Sequence, residues 1–194
     1  MTVQTRAARV LAALAMGVCL APPALAQGKV EYKVLSTTKT STMQKEMQEA
    51  AEAGFRYADV MGGSTAVGGA EVVVIMTKNA KPGGYEYRLL ATNKTSTMQK
   101  ELQEAGDAGF EYKGQTAFKS AFGGKEVVTI LERSKDMKTP ARYEYRLLAT
   151  SKTSTMQKEL SEAGDQGFEF VGLTVAKTLM GGDEVVSILR RKAQ

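Results

Sequence analysis

The sequence predicts an α+β fold of three tandem βαββ units, each a three-stranded sheet with one helix on one face, packed on one another. Three observations carry that reading. The octapeptide "KTSTMQKE" occurs at 39–46, 94–101 and 152–159. Tyr32, Tyr87 and Tyr145 open equivalent stretches around it, and each copy closes on "GGAEVVVI", "GGKEVVTI" or "GGDEVVSI". Between those limits, strand-like alternation gives way to helical spacing of apolar residues and then returns. The repeats span 30–79, 85–135 and 143–192, joined by "NAKPGG" and "SKDMKTPAR", whose prolines and glycines suit linkers.

Residues 1–26 read as a signal peptide. Arg6 and Arg9 precede the apolar run "VLAALAMGVCLA", which is too short to span a bilayer, and "ALA" at 24–26 places cleavage before Gln27. A periplasmic or secreted protein is expected. The single cysteine, Cys19, lies within that segment, and Val18 before it argues against a lipoprotein signal. The mature chain then has no thiol, histidine or tryptophan, and its charge falls from +5 to +3 with the loss of Arg6 and Arg9. That mild, well-mixed charge makes a poor case for nucleic acid. No later apolar run is long enough for a transmembrane segment.

Each unit begins with a strand, "EYKVLST" or "EYRLLAT", rich in aromatic and branched residues. The helix follows. Ser41, Ser96 and Ser154 stand three residues before Gln44, Gln99 and Gln157, the spacing of a capping box. Met98, Leu102 and Ala105 set the buried face, with Gln99, Lys100 and Glu101 directed outward. Gly54, Gly109 and Gly167 end the helices, where a left-handed residue is often needed.

In the second strand Phe110 and Tyr112 share one face, and Glu111 and Lys113 the other. The pairs Gly68-Gly69, Gly123-Gly124 and Gly181-Gly182 suit hairpin turns. The last strand points Val128 and Ile130 one way, with Val73, Ile75, Val186 and Ile188 equivalent, and Val127 and Leu131 the other. If the helix covers the first set, Val127 and Leu131, like Val185 and Leu189, are left open. A unit of about fifty residues buries only roughly 60% of its surface and is marginal alone. The open faces should therefore pack on sibling units or on partners.

The stretch "LQEAGDAGFEYKG" at 102–114 resembles the bacterial family named domain of unknown function 4177. Leu102, Gly106, Gly109 and Glu111 match its motif, as do Leu160, Gly164, Gly167 and Glu169. Phe110 and Phe168 replace the usual tryptophan, and the first copy (Met47, Ala51, Gly54, Phe55, Arg56) is looser. The resemblance implies a strand-helix-strand-strand fold and carries no activity or functional residue with it.

Catalysis by histidine or cysteine is closed to the mature chain. Glu46, Glu101 and Glu159 adjoin Lys45, Lys100 and Lys158 on a helix face expected to be solvated, so no enzyme and no cofactor is expected. Met43, Met98 and Met156 invite a Cu(I) site. However, Met47 exchanges with Leu102 and Leu160, which favours core packing over metal ligation.

The candidate binding residues gather at the helix starts: Lys39, Thr40 and Ser41; Lys94, Thr95, Ser96 and Lys100; Lys152, Thr153 and Ser154. Hydroxyls, a lysine and free N–H groups at the positive end of a helix can hold a small anion, or can merely cap. The repeated exposed residues point first to a docking surface, between units or to a protein partner, with self-association included. The expected function is therefore an exported, non-catalytic binding or assembly protein. Small-anion binding at the helix N-termini is the alternative, with methionine-mediated copper binding behind it.

Overall fold

The computed structural model describes residues 29–65, 69–92, 94–119, 125–177 and 183–193. The expected signal segment and its cleavage point lie outside them. Module 1 comprises β1 (Tyr32–Thr37), α1 (Thr40–Glu52), β2 (Phe55–Thr65) and β3 (Gly69–Lys78). Module 2 comprises β4 (Tyr85–Thr92), α2 (Thr95–Asp107), β5 (Glu111–Lys119) and β6 (Lys125–Ser134). Module 3 comprises β7 (Tyr143–Thr150), α3 (Thr153–Asp165), β8 (Glu169–Lys177) and β9 (Asp183–Lys192). The fold is α+β, three times over.

In each sheet the last strand is central, giving the orders β1-β3-β2, β4-β6-β5 and β7-β9-β8, with every pairing antiparallel. The first and second strands keep the parallel sense of a strand-helix-strand crossover, yet the third strand separates them. It takes the middle because it is apolar on both faces. Of the expected hairpin glycines, Gly69 already pairs with Thr65 as the first residue of β3. Gly68, Gly123-Gly124 and Gly181-Gly182 lie outside the described residues. One shift of register recurs in the second strands, at Tyr57/Asp59, Tyr112/Gly114 and Phe170/Gly172.

The helices end as expected: Gly54, Gly109 and Gly167 take φ of 88°, 84° and 79°. The helix starts differ from expectation. The N-cap residues are Lys39, Lys94 and Lys152, none with a side-chain cap, and the serines sit two residues too far in to cap. Threonine hydroxyls two residues upstream accept the lysine N–H groups instead, Thr37 at 3.2 Å, Thr92 at 3.3 Å and Thr150 at 3.1 Å. The glutamines of the supposed capping boxes are occupied elsewhere.

The apolar alternation of the central strands shows how the modules stack. On α1, Met43, Met47, Ala50 and Ala51 pack against Leu35, Val72, Val74 and Met76 of their own sheet, and also against Tyr87, Leu89, Val128 and Ile130 of the next. Met98, Leu102 and Ala105 of α2 likewise meet Val127 and Leu131 on one side, and Tyr145 and Ile188 on the other. The layers thus run sheet, helix, sheet, helix, sheet, helix. The expected assignment of faces is reversed: a module's own helix covers Val127 and Leu131, and the preceding helix covers Val128 and Ile130. Both faces are apolar, so alternation alone gives them no sign. The expectation that open faces pack on sibling modules holds.

Candidate functional site

The contact used twice inside the chain is the junction between consecutive modules, and it starts from a backbone problem. β4 and β7 are edge strands, whose outer N–H and C=O groups need partners when covered. Glutamine supplies both a donor and an acceptor on one flexible arm. Gln44 accepts from the N–H of Leu89 at 2.8 Å, while Gln48 accepts from Tyr87 N–H at 3.2 Å and donates to Tyr85 O at 3.4 Å. Gln99 accepts from Leu147 N–H and donates to Tyr145 O, both at 2.8 Å. Gln103 accepts from Tyr145 N–H at 3.0 Å and donates to Tyr143 O at 3.3 Å. One helix turn separates the two glutamines, so a helix imitates the strand that the edge lacks. Each such bond is worth about 1 kcal/mol net, and more where its loss leaves a buried group unpaired.

A tyrosine from the next module locks each junction. The Tyr87 hydroxyl accepts from Tyr57 N–H at 2.8 Å and donates to Glu132 at 2.8 Å. The Tyr145 hydroxyl accepts from Tyr112 N–H at 2.6 Å and donates to Phe110 O at 3.1 Å. Both N–H groups lie at the register shift of a second strand, where the ladder frees them. Burial pushes the phenols of Tyr57, Tyr87, Tyr112 and Tyr145 well above the usual tyrosine range. Three glycines admit the neighbouring module closely. A Cβ on Gly106 would strike Tyr143 O, one on Gly114 the Tyr57 hydroxyl, and one on Gly172 the Tyr112 hydroxyl.

Charge crosses the same junctions. Arg56 of module 1 grips Glu132 of module 2 at 2.8 Å, and Arg190 of module 3 grips Glu111 of module 2 at 2.7 Å. Lys113 bridges the two acids, 2.9 Å from Glu111 and 3.6 Å from Glu132. Burial pushes the Glu111 carboxyl up, but Lys113 and Arg190 outweigh it and hold it below the usual carboxylate range.

At the two ends of the stack these surfaces face solvent. The sheet face of module 1 equivalent to the one buried in modules 2 and 3 carries Tyr32 and Val34, 67% and 62% exposed, and Met61. Tyr87 and Leu89, their counterparts, are buried. At the other end Met156 and Leu160 of α3 are half-buried, Gln157 is exposed, and Phe170, Leu173 and Val175 of β8 are exposed. A Cβ on Gly164 would meet nothing, in contrast to its counterpart Gly106.

Of the sequence-predicted binding residues, Lys39, Ser41, Lys94, Ser96, Lys152, Thr153 and Ser154 are exposed, with Thr40 and Thr95 half-buried. The modules do not bring the three helix starts into one pocket. Thr95 donates to Glu184 of module 3 at 2.6 Å, and Lys100 lies 3.8 Å from Glu104 on its own helix. Met43, Met47 and Met98 are fully buried among apolar side chains. Gln99, expected to point outward, points at module 3. Sequence reading missed the glutamines as the joining residues, although they repeat one turn apart as Gln44/Gln48 and Gln99/Gln103. Among the described residues no helix is long and apolar enough to cross a membrane.

Comparison of the chain with protein-family models, with curated proteins and with solved structures gives no match. The likeness to domain of unknown function 4177 rests on the quoted motif.

Proposed function

We propose that this is an exported, non-catalytic binding or assembly protein that works through the two ends of its module stack. One observation carries the reading: each end presents, unpartnered, half of the contact that is buried at both internal junctions. Contiguous apolar surface of this kind on an otherwise polar exterior commonly marks a docking site. The junction chemistry supports the non-catalytic part. Glu111, Glu132, Arg56 and Arg190 are engaged with one another across module boundaries and hold the stack together.

Photo-cross-linking side chains placed at Val34 and at Gln157, in cells making the full-length chain, test the reading. Adducts at both positions, and none from a probe at the exposed Lys45, are expected. Bare chain at both positions overturns it. Fractionation of the same cells checks export.

A further inference from the structure

The geometry points to a second copy of this chain as the occupant of each end, stacked head to tail, so that α3 of one molecule covers the open sheet of module 1 in the next. This inference rests on the binding reading above and names its partner. The two ends are the opposite halves of one contact, and that contact is seen twice within the chain. The head offers Tyr32 where Tyr87 and Tyr145 plug the internal junctions, and an uncovered edge strand, β1, where β4 and β7 receive glutamines. The tail offers Gln157 in the place of Gln44 and Gln99, together with the N–H of the exposed Phe170 in the place of Tyr57 and Tyr112. A tail cannot stack on a tail, since neither brings the first-strand edge and plugging tyrosine that Gln157 and the Phe170 N–H would engage. The contact is therefore heterologous, closing into rings or continuing as filaments.

Both ends are weakened relative to the internal junctions. Ser161 replaces the second glutamine, Gln48 or Gln103, which removes two backbone bonds. Thr77 stands where Glu132 and Arg190 make ion pairs, so Glu169 of the neighbour meets neither attraction nor repulsion. Asp59 stands where Gly114 and Gly172 receive a tyrosine hydroxyl, but Phe170 has no hydroxyl to collide with it. Weak, reversible association is the consequence, with the internal junctions staying closed.

The test is sedimentation-equilibrium and sedimentation-velocity ultracentrifugation of the mature chain over a concentration series, with two exposed end residues changed in turn. Tyr32→Ala disables the head and Gln157→Ala the tail; circular dichroism confirms that each remains folded. Wild type is expected to form concentration-dependent oligomers, and each variant alone is expected to sediment as a monomer. Their equimolar mixture is expected to give dimers and nothing larger, because one live head and one live tail remain. Ser161→Gln, which restores the missing glutamine, is expected to tighten wild-type association about tenfold. Monomeric wild type that stays monomeric with Ser161→Gln overturns the inference, as does association indifferent to both end variants. If cross-links at Val34 and Gln157 then lead to a different protein, the binding reading survives; if there are none, both fall.

Discussion

Glu132 and Arg190 stand at the same position of successive modules, opposite Tyr87 and Tyr145 across their sheets, and carry opposite charge. Each faces the second strand of the module before it, where Arg56 and Glu111 are reversed to match. A junction formed between the wrong two modules, such as module 1 on module 3, would set Arg56 against Arg190. Near-identical repeats are prone to such mispairing, and a like-charge penalty is a direct way to disfavour it. Repetition gives the chain its architecture, and the charge reversal gives that architecture an order.

The pair can be tested by removing the more buried partner. Glu132 is 3% exposed and neutralises both Arg56 and Lys113. E132Q is expected to lower stability by about 2 kcal/mol, below the usual loss for a fully buried pair because Arg56 is partly solvated. E132R should be worse, since it places a third cation beside those two. Urea unfolding checks this: equal midpoints for the two variants would show that charge is irrelevant at this position.

The glutamines should matter more than the lysines beside them. Q99A removes two 2.8 Å bonds to the backbone of β7 and is expected to cost about 2 kcal/mol. The double variant K94A/K100A touches an exposed face and should stay within about 0.5 kcal/mol of wild type. Chemical denaturation of the full chain compares them. If the lysine variant loses as much as Q99A, the octapeptide is repeated for a reason other than joining modules.

The buried tyrosines and Glu111 set opposite pH limits. The folded state holds Tyr87 and Tyr145 protonated beyond their ordinary value near 10, so their contribution is complete below that value and is lost as pH rises through the shifted range. The near-ultraviolet rise of their ionisation is expected to coincide with collapse of the helix signal, and Y145F should shrink that late step. Glu111 behaves conversely. Its folded pKa is depressed, so its contribution is present above the ordinary 4.5 and fades as pH falls below it. E111Q should flatten the acid limb of stability against pH.

Much of the fold was legible because three copies repeat each local signal. Gly54, Gly109 and Gly167 announced the helix ends, and apolar spacing placed Met98, Leu102 and Ala105 inside. Two things were not legible for physical reasons. Val127/Leu131 and Val128/Ile130 are equally apolar, so nothing local says which set meets its own helix. Gln44 and Gln99 stand at a capping-box spacing from serine, and only the presence of an edge strand in another module decides where their amides go. The candidate site was half visible: the repeated helix was singled out, but its lysines and hydroxyls drew attention that belonged to Gln48, Gln103 and the plugging tyrosines.

One substitution made at two equivalent positions should change sign. Gly106 and Gly164 both lie in the last turn of a helix, where alanine is intrinsically favoured over glycine by about 1 kcal/mol. At Gly164 an added methyl meets open space, so G164A is expected to stabilise the chain by roughly that amount. At Gly106 the same methyl runs into Tyr143 O and the Tyr145 ring of module 3, so G106A must push the junction apart. The collision is with backbone, which cannot swing aside, and a net loss of about 1–3 kcal/mol is expected. Module 1 carries Ala51 at this position, and its junction correspondingly has three glutamine bonds to backbone where the next has four. Thermal unfolding of the two variants side by side decides the matter. Losses of equal size would mean that α2 is not held against β7 in solution, and the stacked arrangement would have to be abandoned.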